Sequence, residues 1–319
     1  MRVLLVRSKN EMELISKRLN IKSIDEVDYF AKYVEIEVYD GCNLNCIMCP
    51  LAKDIYDGGG SIPFDLFKKI ADELSNYSHW IKLVCLSRNG EPLLNKNISK
   101  MIKLLKDAGI KKINFSTNAT ALNEKKSYEL IDAGLDEIRF SIDGFTKKTF
   151  EKIRKDSKFE KVIENCLRFI KIRDTYGPGK TQIQVRLVEQ KENLHEIKDW
   201  KNYWLSKLQS TDVVASKKMH SWGNELENYE GNIDKNVIKP CISPFSTLEI
   251  LHDGTVPLCG CDYKSAYNLG NVKNQSLKEI WNNTEFKKIR DLHKSGQRNL
   301  MPICVGCKIW DEEKVKTVF

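Results

Sequence analysis

The feature that most restricts the fold of this chain is an alternation of strand-like and helix-like segments. Each strand-like segment is short and mostly apolar, and most are followed by apolar residues at helical spacing. The predicted strands are 34–39, 81–86, 112–116, 137–141, 182–188 and 212–215. Strands that alternate with helices form a parallel sheet through right-handed crossovers, and six such units give a barrel with a gap.

The intervening helices carry recognisable starts and apolar faces. Pro63 can occupy the first turn of the first of them, and Asn123 is a natural N-cap for a later one. Asn193 is predicted to cap the helix before the sixth strand, in which Trp200 and Trp204 lie on one face. The spacing of these signals agrees with the alternating pattern.

Three cysteines, Cys42, Cys46 and Cys49, follow the first predicted strand on one short loop. Parallel α/β folds bind their ligands at the carboxyl ends of the strands, which is where this loop lies. Three thiolates can hold three irons of a cubane cluster and leave the fourth iron open. The alternative is a zinc loop completed by a ligand from elsewhere, since structural zinc sites normally have four ligands.

The spacing C-x3-C-x2-C after a first strand resembles the signature of the radical S-adenosylmethionine (SAM) superfamily. The resemblance implies an α/β fold with a partial (β/α)6 TIM-like barrel. It implies a [4Fe–4S] cluster on the three cysteines that is chelated by the amino and carboxylate groups of SAM. The reduced cluster would cleave SAM to a 5′-deoxyadenosyl radical, with electrons from an external donor such as flavodoxin or ferredoxin. Met48 would lie against the adenine.

Two later turns resemble SAM-binding motifs of the same family. Asn89-Gly90-Glu91 resembles its glycine-glycine-glutamate motif, with Asn89 in place of the first glycine, so Gly90 and Glu91 are implied to bind the SAM amino group. Asn118 lies in a turn that resembles the family's Thr-Asn-Gly turn, with Ala119 in place of the glycine. Without the cysteine loop, Glu91 would be interpreted as a solvated residue in a simple turn.

The fourth and fifth strands end with further candidates. Ser141 and Asp143 belong to a Ser-Ile-Asp-Gly segment that resembles the family's segment near the ribose and the SAM carboxylate. Arg186 alternates with the apolar Ile183 and Val185, so it points to the opposite face of its strand. Relatives often place such an arginine against the SAM carboxylate. An outer ion pair with a helix is the alternative for Arg186.

A second set of cysteines begins after Lys239. Asp253-Gly254 between alternating segments predicts a hairpin, and Ser276 with Glu279 predicts a capping box that opens a helix. The set consists of Cys241, Cys259, Cys304 and Cys307. Four such ligands could hold zinc. Their order along the chain resembles the SPASM and twitch domains of radical SAM enzymes, which implies that they hold one auxiliary [4Fe–4S] cluster.

Three cysteines remain outside both sets. Cys85 and Cys166 lie among apolar residues and are predicted to be core thiols. Cys261 is two residues from Cys259, so it is a bystander, a replacement ligand or a hydrogen donor. Among other polar residues, the substrate candidates are His220, Trp222 and Glu225.

Composition sets the outer limits of these hypotheses. The chain has 319 residues, of which 41% are hydrophobic, and a net charge of +8 from scattered lysines. It has no apolar run of about 18 residues and no signal peptide, so we expect a cytoplasmic protein without a membrane partner. Because basic residues do not alternate with aromatics in a stripe, nucleic acid is not an expected partner. The domains expected are a leader at 1–33, a barrel at 34–238 and an auxiliary domain at 239–319.

The leading hypothesis is a radical SAM enzyme that abstracts hydrogen from a small polar substrate. That substrate would be a carbohydrate, an aminocyclitol or a nucleotide sugar, and the outcome would be oxidation of a secondary alcohol. Alternatives are an epimerase that uses a cysteine hydrogen donor and a maturase of ribosomal peptides, for which the leader is short. A zinc-bearing RNA-binding protein is the alternative outside enzymes.

Overall fold

The computed structural model describes residues 2–50, 59–177, 179–223 and 239–309, and the side chains from residue 10 onward. Within these ranges, seven parallel strands form one sheet in the order β6-β5-β4-β3-β2-β1-β7. The sheet is that of a partial TIM-like barrel. The strands are β1 (Tyr33–Ile36), β2 (Leu83–Cys85), β3 (Ile113–Thr117), β4 (Glu137–Ser141), β5 (Gln182–Glu189), β6 (Val213–Lys218) and β7 (Thr247–Ile250).

The helices connect the strands of the sheet and cover its outer face. Asn123 caps α4 as predicted, because its side chain accepts a hydrogen bond from the amide of Lys126 at 2.8 Å. Pro63 directly precedes α2. The helices are α1 (Arg2–Leu19), α2 (Phe64–Ser75), α3 (Ile98–Asp107), α4 (Glu124–Asp132), α5 (Lys147–Ile153), α6 (Phe159–Thr175), α7 (Ile197–Leu205), α8 (Ser243–Ser246), α9 (Leu277–Trp281) and α10 (Thr284–Lys294).

The two faces of the sheet differ in chemistry. The outer face is apolar and packs on the helices, with Val34, Ile113 and Ile138 fully buried. Strand register places polar residues in rows on the other face, such as Glu35 beside Cys85. Because side chains alternate along a strand, this second face forms a polar lumen rather than an apolar core.

One predicted cap is wrong. Asn193 makes no side-chain cap at the short 3-10 helix Leu194–Glu196. Its amide group instead donates to the carbonyl oxygens of Asp143 at 3.0 Å and Val188 at 2.8 Å. The side chain therefore ties the end of β5 to the turn after β4, a tertiary role that the local sequence does not reveal.

The predicted hairpin at Asp253-Gly254 is also wrong, because the segments on either side of the turn do not pair with each other as two strands. A tight turn is present, since Leu251 N donates to Thr255 O at 2.8 Å. The strand before it, however, is β7, which pairs in parallel with β1 and extends the barrel sheet to a seventh strand. All four residues of β7 are buried, which is typical of a parallel strand whose two faces are both covered by other parts of the protein.

The N-terminal segment and the C-terminal helices pack together. Met12, Ile15 and Leu19 of α1 belong to the main core, so residues 1–33 are not merely a leader before the barrel. Trp281 of α9 donates from its indole nitrogen to the carbonyl oxygen of Val27 at 2.7 Å. The Ser276 capping box is present, but the helix predicted to run on from it is divided into α9 and α10.

None of the described helices has both the length and the apolar character needed to cross a bilayer.

Candidate active site

The three barrel cysteines lie on the loop that follows β1, at the carboxyl edge of the sheet. Two short antiparallel pairings fix this loop: Tyr39–Asp40 pairs with Gly60–Ser61, and Asn45–Cys46 pairs with Arg154–Lys155. The loop starts at Gly41, whose φ of 122° is a conformation that favours glycine. The cysteine loop is therefore held from both sides by backbone hydrogen bonds.

Polar groups from other loops contact the cysteine sulfurs. Asn118 Nδ2 lies 3.7 Å from Cys42 Sγ, and Arg154 Nη1 lies 3.8 Å from Cys46 Sγ. Burial raises the pKa of Cys46 to about 12, and the charge of Arg154 opposes that shift. Cys42 is exposed and Cys49 is half-buried, so the sulfurs are accessible from one side.

Met48 is buried at the edge of the cysteine loop. It packs in a small apolar cluster, separate from the main core, whose buried members include Leu44 and Ile153. Cys46 belongs to the same cluster. The thioether thus borders the cysteines.

Gly90 occupies a place where no side chain fits. A Cβ at this position would lie 2.0 Å from the carbonyl oxygen of Tyr39 and 2.6 Å from that of Gly41. The amide of the next residue, Glu91, donates to Gly41 O at 2.8 Å. The loop after β2 is therefore packed directly on the backbone that leads into the cysteine loop, and glycine is required for that contact.

The Glu91 carboxylate accepts hydrogen bonds from other residues of the protein. Glu91 is buried, and it accepts hydrogen bonds from Thr117 Oγ1 and Asn118 N, both at 2.7 Å. Burial raises the pKa of Glu91, and these hydrogen bonds oppose the shift. Ala119, where relatives have glycine, adopts a left-handed φ of 59°. Glu91 thus fastens the Asn118 turn, and through it the amide near Cys42.

Asp143 forms an ion pair with Arg154, a residue that the sequence analysis did not identify. Its Oδ2 accepts from Arg154 Nε at 2.7 Å, and its Oδ1 accepts from Val188 N at 2.7 Å. Burial alone would lower the pKa of Arg154, but Asp143 raises it, so the guanidinium is charged. Asp143 therefore orients Arg154 toward Cys46. No local pattern in the sequence signals this pairing.

Ser141 and Arg186 lie on neighbouring strands of the lumen. They are register partners between β4 and β5, and Ser141 is half-buried at the end of its strand. Arg186 Nε donates to Gln184 Oε1 at 2.8 Å on the same face. Burial, together with the charge of Arg139, lowers the pKa of Arg186 to about 9. The inner face is thus the one that Arg186 occupies.

Charged groups continue around the lumen. Glu35 and Glu249 are register partners on β1 and β7. Burial raises the pKa of Glu35 to about 8, and the charge of Glu249 contributes to that shift. Burial alone would raise the pKa of Glu137, but Arg139 and Lys112 lower it to about 2. The lumen therefore combines a carboxyl of raised pKa with the ion pair of Glu137 and Arg139.

Arg88 joins the barrel to the C-terminal cysteine segment. It directly precedes Asn89-Gly90-Glu91, and its Nε donates to Glu249 Oε2 at 2.6 Å. Its Nη2 donates to the carbonyl oxygens of Cys259 at 2.9 Å and Asp262 at 3.1 Å. Both charged side chains are only 2% exposed. Sequence reasoning missed Arg88 and Glu249, although a charged residue at the carboxyl end of a strand is a usable signal.

The C-terminal cysteines are brought together from three separate places in the chain. Burial raises the pKa of Cys241 well above its ordinary value, and the neighbouring thiols of Cys307 and Cys259 add to the shift. Burial raises the pKa of Cys304 to about 12, with Cys259 and Cys307 again contributing. The four predicted ligands are therefore half-buried and close enough for their thiols to affect one another's pKa.

His293 and Arg298 support this sulfur group. The amide of Cys241 donates to His293 Nδ1 at 3.0 Å, and His293 Nε2 lies 3.9 Å from Cys304 Sγ. Burial and Arg298 lower the pKa of His293 to about 3, so the ring is neutral and Nε2 carries its proton. Arg298 donates to the carbonyl oxygens of Lys239 and Cys307. Neither residue was predicted.

Cys261 lies within the same group. It is buried. Interaction with the thiols of Cys259 and Cys307, followed by burial, raises the pKa of Cys261 well above its ordinary value. Cys261 therefore lies beside two of the four predicted ligands. Of the other two cysteines, Cys166 packs in the main core and Cys85 faces the lumen.

The loop after β6 approaches these sulfurs. The rings of His220 and Trp222 are in tilted contact with centroids 4.5 Å apart, and burial lowers the pKa of His220 to about 4. A Cβ at Gly223 would lie 3.5 Å from Cβ of Cys261. His220 and Trp222 are thus near the C-terminal cysteines, whereas Glu225 lies outside the described residues.

The spacing of the sulfurs distinguishes a cluster from a single zinc ion. Four sulfurs around one zinc would lie about 3.8 Å apart. Within the described ranges, only Glu37, Asp40 and His252 bring three metal-binding atoms within 4.8 Å of one another. Among the described residues, neither cysteine set brings three sulfurs as close together as a closed zinc site would. Donor sets made only of thiolates are those of iron–sulfur clusters.

Comparison with known families agrees with this geometry. The model of the radical SAM superfamily matches residues 36–200, which is more than half of the chain. The chain belongs to the radical SAM superfamily. The model of SPASM, an iron–sulfur cluster-binding domain, matches residues 241–308. This radical SAM enzyme therefore uses SAM and two [4Fe–4S] clusters, and like its relatives it requires a reductant.

Individual relatives cover nearly the whole radical SAM chain. A tungsten-containing aldehyde ferredoxin oxidoreductase cofactor-modifying protein of Pyrococcus furiosus is 25% identical, with 88% of each chain covered. An AdoMet-dependent heme synthase of Methanosarcina barkeri is 22% identical and covers 85% of this chain and 89% of its own. The crystal structure of BtrN with AdoMet and 2-DOIA has a TM-score of 0.60 at 20% identity, and it covers 87% and 93%. That likeness concerns the fold.

Proposed function

We propose that this radical SAM enzyme abstracts a hydrogen atom from a small polar substrate and oxidises a secondary alcohol to a ketone. The substrate class is a carbohydrate, an aminocyclitol or a nucleotide sugar. The substrate carbon loses a hydrogen atom to the 5′-deoxyadenosyl group, and then an electron and the hydroxyl proton. The other products are methionine and 5′-deoxyadenosine.

The cysteines divide into two ligand sets in this proposal. When bound, SAM and the barrel cluster supply the radical, and the second cluster supplies an electron acceptor. Cys42, Cys46 and Cys49 hold the barrel cluster, and the donors of Asn118 and Arg154 stabilise its sulfurs. The auxiliary cluster is held by Cys241, Cys259, Cys304 and Cys307.

The SAM site is assigned to the surrounding loops. Met48 borders the adenine, and Ser141 and Arg186 face the ribose and carboxylate end from the lumen. Glu91, Gly90 and Asp143 shape the site through the chain contacts described above. An external donor such as flavodoxin or ferredoxin supplies the electrons.

The polarity of the lumen supports the substrate class. The hydroxyl groups of a substrate lose their bound water when they enter the lumen, so they need hydrogen-bond partners there. The lumen offers carboxylates and guanidinium groups as such partners. Glu35, with its raised pKa, can donate a hydrogen bond, and Arg139 carries a fixed charge. A large apolar ring system would leave these groups without partners.

The observation that carries the oxidation is the position of Arg88. It directly precedes the loop assigned to SAM, and it holds the carbonyl oxygen of Cys259 at 2.9 Å. One buried side chain therefore links the loop assigned to SAM with the segment that carries the auxiliary sulfurs. In this proposal, the electron that leaves the substrate radical passes to the auxiliary cluster.

Two alternatives share the same radical step. Cys261 would serve an epimerase as hydrogen donor, but it lies beside Cys259 and Cys307 and is 3% exposed. A peptide maturase would need to admit a longer substrate to the same charged lumen. Both would give products without a new ketone.

The proposal is tested with reconstituted enzyme, SAM, a reductant and a panel of aminocyclitols and nucleotide sugars that carry deuterium at the secondary carbinol carbons. The expected result is deuterium in 5′-deoxyadenosine and a ketone lighter than the substrate by two hydrogens. The Cys42→Ala variant is the control for cluster-independent chemistry. Deuterium transfer with an epimer and no ketone would contradict the oxidation.

A further inference from the structure

A second cluster of ligand-type side chains lies where β1 and β7 end. Glu37 directly follows β1, and its amide donates to the carbonyl oxygen of Ile250 at the end of β7, at 2.8 Å. His252 lies two residues beyond β7 and donates its own amide to Glu37 Oε2 at 3.2 Å. Asp40 reaches the same place through its pairing with Gly60. Neighbouring strand ends therefore bring three polar side chains together.

The distances within this group are those of ligands around one cation. His252 Nδ1 lies 3.1 Å from Glu37 Oε2 and 3.4 Å from Asp40 Oδ2. All three ligand atoms lie within 4.8 Å of one another. With metal–ligand bonds of about 2.1 Å, neighbouring ligands lie about 3.0 Å apart in an octahedron and about 3.4 Å apart in a tetrahedron. Both observed separations fall at these values.

Burial leaves one carboxylate oxygen of this group without a partner. Glu37 is 1% exposed, and its Oε1 has no hydrogen-bond partner in the described part of the chain. Asp40 is also buried. Its carboxylate and that of Glu37 both approach the same nitrogen, Nδ1 of His252. A buried carboxylate oxygen without a partner costs about 1–3 kcal/mol or more, since the group is charged. A divalent cation would satisfy it and separate the two negative charges.

We propose that Glu37, Asp40 and His252 form a binding site for one divalent cation of the Mn²⁺, Fe²⁺ or Zn²⁺ class. Two oxygen ligands and one imidazole nitrogen suit these ions, whereas the iron–sulfur sites consist of sulfur ligands. The side chain of His252 is 29% exposed, so an ion can enter from solvent. Three protein ligands leave coordination positions for water or for an oxygen of the substrate.

The site would join two parts of the chain that the radical reaction needs together. Asp40 lies two residues before Cys42, and His252 belongs to the segment that carries the C-terminal cysteines. A cation bound to both would hold the entry of the cysteine loop against the end of β7. This inference does not depend on the identity of the substrate.

The test uses Mn²⁺ as probe and the holoenzyme with both clusters in place. Mn²⁺ prefers oxygen and imidazole ligands, so occupied or vacant cysteine sites do not compete for it. Under anaerobic, non-reducing conditions the signal of free Mn²⁺ in electron paramagnetic resonance counts the bound ion. We expect one saturable site per chain, from which Zn²⁺ displaces Mn²⁺. Turnover is not part of the measurement.

The variants His252→Ala and Asp40→Asn are each expected to weaken Mn²⁺ binding by at least about tenfold. His195→Ala is the matched control, because His195 also lies beside a carboxylate, Glu196 at 3.7 Å, but on the surface. Cluster content measured by iron and sulfide confirms that each variant is folded. Absence of a saturable site in the wild type would overturn the proposal, as would wild-type affinity in both variants or an equal loss in His195→Ala.

Discussion

The two cysteine regions of this molecule differ in how their sulfurs are gathered. The barrel set comes from one loop of eight residues, 42–49, and its outer side is accessible, with Cys42 exposed. The C-terminal set comes from three distant segments and is packed around a fifth thiol, that of Cys261. A loop that leaves one side free suits a site that must admit SAM. A half-buried group with a full set of four cysteines suits a site that exchanges electrons only.

The two sets of sulfurs also differ in where their neighbouring hydrogen-bond donors come from. Donors near the barrel sulfurs come from other loops of the barrel, as with Arg154, which follows α5 and lies 3.8 Å from Cys46 Sγ. Donors near the C-terminal sulfurs come from the same domain, as with His293 at 3.9 Å from Cys304. Arg88 links the loop after β2 to the C-terminal segment through the carbonyl oxygens of Cys259 and Asp262. Because the two sets have separate surroundings, we expect that one set of cysteines can be removed while the other still binds its cluster.

The largest expected effect separates the two sets. Replacing Cys42, Cys46 and Cys49 together with alanine should abolish SAM cleavage and leave close to one [4Fe–4S] cluster per chain, because the C-terminal ligands are untouched. Cys304→Ala is the matched variant, and it should retain some production of 5′-deoxyadenosine. Iron, sulfide and 5′-deoxyadenosine are measured in each. A triple variant without any iron would contradict the independence of the two sets.

The next effect concerns the contact between the regions. Arg88→Ala leaves Glu249 as an uncompensated buried charge, so we expect a loss of about 3–5 kcal/mol in the free energy of unfolding. Arg88→Ala combined with Glu249→Ala should recover much of that loss. Lys103→Ala is the control, since its ion pair with Asp107 is exposed and contributes little. Anaerobic thermal unfolding measures the wild type and the three variants, and a loss in Lys103→Ala as large as in Arg88→Ala would refute the role of burial.

A smaller effect is expected at Cys261. If oxidation is the outcome, Cys261→Ala in deuterated water should give the ketone in undiminished yield, because no hydrogen atom has to be returned to the substrate. Cys166→Ala, a core thiol on α6, serves as the control for a lost buried sulfur. Mass spectrometry of the product decides the matter. Solvent deuterium in an epimer made by the wild type, and its absence in Cys261→Ala, would replace the oxidation with epimerisation.

The smallest effect is a dependence on pH from the lumen. Burial raises the pKa of Glu35 to about 8, above that of the unfolded chain, so its contribution to stability is present at low pH. That contribution should fall as pH rises from about 5 to about 8. Glu35→Gln should lack this loss, whereas Glu164→Gln on the surface of α6 should retain it. Parallel pH profiles of the melting temperature for the wild type and Glu35→Gln would contradict the shift.

Much of the barrel could be predicted because its signals are local. The strand at 137–141 and the cap at Asn123 follow from alternation and from capping chemistry within a few residues. The cap expected from Asn193 failed for the opposite reason. Its amide found partners at Asp143 and Val188, which the fold brings near and the local sequence does not.

The sequence by itself determined the chemistry: the spacing of Cys42, Cys46 and Cys49 is short enough for one loop to present all three thiols to one cluster. Only the tertiary structure decided how the remaining parts meet. It placed β7 beside β1 in the barrel sheet, and with it Glu249 against Arg88 and His252 against Glu37. These pairs are more than a hundred residues apart in the chain. Buried charges take whichever partner the packing of strands places next to them, and no local pattern encodes that choice.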